Sequence, residues 1–136
     1  MSEKPAPRRS PGRIIIAVLY AILSLSALNE VVSMLRGTDD GPTALLVFQC
    51  LVSASGAATA WGAWKGARWS PLAASVYGFV AAAMLVSLGP LLDMPVEERG
   101  GLLTGAGMVL LFTLGCAWYL RRVTRHTRVE ASKDLD

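Results

Sequence analysis

Four apolar runs, each close to twenty residues long and separated by short polar stretches, limit this chain's possible folds more than any other feature. They cover 14–35, 43–64, 70–88 and 102–120, and a helix rising about 1.5 Å per residue needs about 20 residues to cross a hydrocarbon layer of about 30 Å. Little chain is left for a soluble domain. Hydrophobic residues make up 53% of the 136 and charged residues 17%, below the share of about 25% usual for a soluble domain. The sequence therefore predicts an all-α, integral membrane four-helix bundle with lipid as its solvent.

The segments between the runs carry helix start and stop signals. Residues 1–13 hold three prolines with Lys4, Arg8, Arg9 and Arg13 and show no apolar period, which predicts a disordered basic tail. A cleaved leader is the competing reading. The following apolar run outlasts the ~7–15 residues of a leader core, however, and no clean cleavage site follows it. Gly37 suits the left-handed end of the first helix. Pro42 fits the first turn of the second helix, with Asp39 and Asp40 at its positive end. Lys65 to Arg68 form a short turn bracketed by Trp61, Trp64 and Trp69, an interfacial aromatic belt with basic charge. The third run stops at Gly89-Pro90. Asp93 is the expected N-cap of the fourth helix, with Glu97 and Glu98 in its first turn.

Small residues indicate where helices approach closely, because in lipid packing replaces the hydrophobic effect as the associating force. The second run is crowded with them between Ser53 and Ala60. Ala74, Gly78 and Ala82 form a four-residue ladder in the third, and Gly101 and Gly105 repeat that spacing at the start of the fourth. Cys50 and Cys116 are too few and too separated for a disulfide framework, and they read as small packing residues.

Charge sets the orientation. Eleven of the thirteen Lys and Arg residues lie in the N-terminal tail, the 65–68 turn and the C-terminal tail, leaving Arg36 and Arg99 on the opposite side. All four tryptophans fall on the same basic side. The positive-inside rule then predicts both termini in the cytoplasm, in a bacterial-type plasma (inner) membrane crossed by multiple passes. In the segment 121–136, Arg121, Arg122, Arg125 and Arg128 follow the last span, a juxtamembrane cluster suited to anionic lipid head groups. A helix continuing through Arg128 would put Arg121, Arg125 and Arg128 on one face. Nucleic acid is not an expected partner, since no recognition fold or aromatic platform accompanies these charges.

One stretch breaks the apolar pattern. Ser26, Asn29, Glu30 and Ser33 recur at helical spacing in the outer half of the first run, and Glu30 is the acidic residue placed at hydrocarbon depth. Gln49 lies at a matching level in the second run, about 9–10 Å below the helix end. A candidate intramembrane polar site therefore comprises Ser26, Asn29, Glu30, Ser33 and Gln49. In the first reading these groups make interhelical hydrogen bonds of ~0.5–2 kcal/mol that fix register. In the second, Glu30 marks a proton or cation path. No catalytic constellation, metal-ligand cluster or cofactor motif is present, and His126 alone cannot supply two-histidine haem ligation. The sequence thus predicts a non-enzymatic helix-packing component, as a homo-oligomer or within a larger membrane complex. A small transporter centred on Glu30 is the alternative.

Overall fold

A computed structural model describes residues 10–37 and 42–133, with side chains through Arg125. The described chain is helical, with α1 at Pro11–Leu35, α2 at Thr43–Lys65, α3 at Ser70–Leu91 and α4 at Val96–Lys133. Each helix is long and apolar enough to cross a membrane. Chain neighbours pack together, α1 on α2, α2 on α3 and α3 on α4. A hydrogen bond of 3.1 Å between Ser10 and the Tyr119 hydroxyl brings α4 back to the start of α1. The helices therefore alternate up and down. One end of the bundle gathers the start of α1, the α2–α3 turn and the basic part of α4; the other gathers the α1–α2 and α3–α4 connections.

Helix ends follow from local chemistry. Gly66 takes φ +71° after α2, its N–H reaching Ala63 O at 3.3 Å while that of Ala67 reaches Gly62 O at 2.9 Å, the paired bonds of a Schellman motif. Gly37 adopts φ +70° after α1, as its position in the sequence predicts. The α3 end departs from expectation. Helix α3 passes through Pro90 to Leu91, because Gly89 lacks the Cβ that would clash with the proline ring in a helical geometry. Asp93 closes that helix instead of capping α4: it turns left-handed at φ +48°, and Met94 N–H bonds Gly89 O at 3.0 Å. Helix α4 then starts at Val96 with Glu97 and Glu98 in its first turn.

Two further boundaries shift. Helix α1 begins at Pro11 instead of residue 14, since proline at the first helical position loses no intrahelical bond; residues 1–9 lie outside the described residues, as do Asp39 and Asp40. Helix α4 continues past the apolar run to Lys133, five residues beyond Arg128.

The core is built from small residues around two tyrosines. Tyr20 of α1 is fully buried and meets Tyr77 of α3 edge to face, ring centroids 5.0 Å apart at 77°. Its hydroxyl lies close to the Cys116 thiol but has no hydrogen-bond partner among the described residues. Ala17, Ala27, Ala63, Ala74, Ala81 and Ala117 fill in around the pair. The 74–78–82 ladder is buried throughout, and Gly78 is pressed onto Thr113 of α4. Gly101 is different: it faces open space, and Gly105 meets only Leu85, at 3.9 Å. In α4 the contact is made by Ala106, Thr113, Ala117 and Leu120, whose spacing turns the two glycines off the seam. Large apolar side chains point outward instead, among them Ile15, Leu25, Phe79 and Leu111.

Candidate functional site

Helix α1 buries one face, Ala17, Tyr20, Ser24, Ala27 and Val31. At 100° per residue, Ser26 and Asn29 fall on the far side of the helix from it and Glu30 stands on its flank. All three are exposed, whereas Ser33 and Gln49 are half-buried. Among the described residues no hydrogen bond or ion pair joins Asn29, Glu30 and Gln49. The polar stripe exists as the sequence predicts, but Ser26 and Asn29 face away from the bundle, Glu30 stands on its flank, and no hydrogen bond joins Gln49 to them among the described residues.

The contact that does join α1 to α2 lies about one turn and a half deeper and uses serines. Ser24 Oγ donates to Ser53 O at 2.8 Å, and Ser53 Oγ donates to Ser24 O at 3.1 Å. Both residues are buried. Gly56 makes this approach possible, since a Cβ there would stand 3.2 Å from Ser24 Cβ and 3.3 Å from the Tyr77 ring. Sequence reading marked the small-residue stretch from Ser53 to Ala60 as a place of close approach, but it passed over Ser24. The signal was its place in the small-residue series Ala17, Ser24, Ala27.

Basic residues at the opposite end divide into three arrangements. Arg13, assigned from sequence to a disordered tail, instead belongs to α1 and donates through Nε and Nη2 to Ala63 O at 3.2 and 3.1 Å. A guanidinium at the C-terminal carbonyls of α2 opposes the negative end of that helix. Lys65 lies over Trp61 at 5.0 Å and Arg122 over Trp118 at 5.5 Å, cation–π contacts of ~0.5–1 kcal/mol where exposed. Arg121 and Arg125 converge with Arg68 of the α2–α3 turn around a small cavity of about 180 Å³. Thus Arg121 and Arg125 share a site that Arg122 does not join, and the Arg128 side chain lies outside those described.

No nucleophile–base pair emerges from these contacts. Among the described residues no group of three His, Cys, Asp or Glu side chains could hold a metal. Cys50 and Cys116 are free thiols, and Cys50 is exposed instead of packed, because it sits on the outward side of α2. A groove of about 540 Å³ along α1 and α2 is lined by alanine, valine, leucine and tryptophan, with Ser24 as the polar exception; it offers shape but no acid, base or charge. No protein-family model, curated protein or solved structure matches this chain.

Proposed function

We propose that this chain is a multi-pass protein of the plasma membrane with both termini in the cytoplasm, and that it acts as a non-enzymatic assembly component through the outward face of α1. The observation that carries the reading is the exposure of Asn29, on the side of α1 turned from its own bundle, and of Glu30 on the flank beside it. Glu30 lies about 9 Å below Arg36 along the helix. At that depth an amide and a carboxyl facing lipid cost several kcal/mol unless other polar groups meet them. A second copy or a larger membrane partner supplies such groups; the bundle's own Gln49 does not. The single-sided basic charge supports the orientation, and Arg121, Arg122, Arg125 and Arg128 suit anionic lipids on the cytoplasmic face.

Reconstitution at varied protein-to-lipid ratios tests the assembly. Replacing both Asn29 and Glu30 by leucine should leave the bundle folded and abolish association, while Glu30→Gln, which keeps hydrogen bonding, should preserve it. A wild-type chain that stays monomeric and captures no partner in native membranes would refute the reading. Flux of protons or cations in liposomes, lost in Glu30→Gln, would replace it with the transporter alternative. Reporters fused after Gly37 and after Asp136 test the orientation; cytoplasmic activity of the first would overturn it.

A further inference from the structure

The three converging arginines sit at the mouth of a longer groove between α3 and α4. Arg68, Pro71 and Arg121 line both the small cavity of about 180 Å³ and a second one of about 470 Å³, so the two adjoin. One end of the combined groove carries the guanidiniums of Arg68, Arg121 and Arg125; the other runs along Leu72, Leu114 and Trp118. Those three apolar side chains are all exposed. None of the three arginines pairs with a carboxylate among the described residues. The described carboxylate side chains, Glu30, Asp93, Glu97 and Glu98, all lie at the opposite half of the bundle. The first turn of α3, whose Pro71 lines the site, adds the positive end of a helix dipole.

We infer that this groove holds one anionic phospholipid, its phosphate between Arg68, Arg121 and Arg125 and an acyl chain along Leu72, Leu114 and Trp118. Guanidinium forks match phosphate oxygens, and a cluster of three with no carboxylate partner among the described residues favours a headgroup with net negative charge over a zwitterionic one. Because Arg68 comes from the turn that ends the first helical hairpin and Arg121 and Arg125 from α4, the lipid bridges the two halves of the chain. The inference rests on the membrane reading above but not on the assembly reading.

The test is native mass spectrometry of the full-length protein in detergent, titrated with phosphatidylglycerol or phosphatidylcholine. One phosphatidylglycerol per chain should be retained in preference to phosphatidylcholine. The Arg68→Ala, Arg121→Ala double variant should weaken that retention by roughly 30-fold, a factor of about five for each arginine near an anionic surface. Lys65→Ala removes one positive charge at the same end of the bundle, from the Trp61 contact that lines neither cavity, and should change it little. Ser75→Leu, which fills the apolar half without altering charge, should also weaken retention. Equal loss in Lys65→Ala and in the single variants Arg68→Ala and Arg121→Ala would reduce the site to diffuse surface charge and overturn the inference. So would full retention in Ser75→Leu combined with competition by soluble glycerol phosphate, which would show headgroup binding without a lipid seat. Failure of the chain to float with phosphatidylcholine vesicles would instead defeat the membrane reading, and this inference with it.

Discussion

Gly78→Ala should unlock the α3–α4 seam. A Cβ built on Gly78 would collide with Thr113 Oγ1 and stand 2.8 Å from Thr113 Cβ and 3.3 Å from its Cγ2. Carbon atoms pack best at about 3.5–4.0 Å, so the helices must separate by roughly 1 Å. Thr113 has no room to yield. It is 1% exposed, and its hydroxyl is held by Val109 O at 2.9 Å and Leu110 O at 3.1 Å. Overpacking of this kind costs about 1–3 kcal/mol, partly offset by the ~1 kcal/mol that alanine regains over glycine within a helix. The control is Gly115→Ala, whose Cβ meets nothing within 4 Å and which should gain up to ~1 kcal/mol. Unfolding in mixed micelles, followed by far-ultraviolet circular dichroism, should therefore separate the two variants by about 1–3 kcal/mol. Thr113→Gly introduced into Gly78→Ala should recover part of the loss through a favourable coupling of ~1–2 kcal/mol. Equal stability of Gly78→Ala and Gly115→Ala would refute the packing described for this seam.

The same unfolding assay checks three smaller effects. Arg13→Ala removes both guanidinium bonds to Ala63 O and should cost about 1–2 kcal/mol, with Arg13→Lys restoring only part because an ammonium cannot reproduce the fork. Ser24→Ala combined with Ser53→Ala should cost only about 1 kcal/mol, near ~0.6 kcal/mol per interhelical bond. The reason is that each carbonyl the hydroxyls serve also sits in a helical ladder, so no acceptor is left bare. Gly66→Ala places a Cβ at φ +71° against Arg13 and should lose at least about 1–2 kcal/mol.

The four helices were legible because a 20-residue apolar run has few other uses. Glycine's capping preference and small-residue spacing likewise placed Gly37, the 65–68 turn and the 74–78–82 ladder where the fold uses them. Which side of a helix turns inward was harder to read. In a soluble bundle the large apolar side chains mark the core, but here Ile15, Leu25 and Leu111 face out and Ala17, Ser24 and Ala27 face in. The polar stripe of α1 could be recognised by its period, yet period alone does not say whether Asn29 and Glu30 turn toward α2 or away. Arg13 was missed for a different reason: its role depends on the Ala63 carbonyl fifty residues later, and proline-rich surroundings argue locally for disorder. Glycine spacing misled at Gly101, because four-residue periodicity defines a stripe without saying that the stripe faces a neighbour.

The outward face of α1 is tested most directly by cross-linking at Glu30 in native membranes. Glu30→Cys is placed in a chain whose own thiols are removed by Cys50→Ala and Cys116→Ala, beside the control Leu103→Cys, which is 57% exposed on α4. A short reagent that couples to the thiol through a maleimide and inserts into neighbouring C–H bonds through a photoreactive benzophenone should yield a covalent pair of chains, or one chain joined to a defined partner, from position 30 and not from position 103. Single chains alone from position 30, with the fold intact, would contradict the claim that this face is covered by protein.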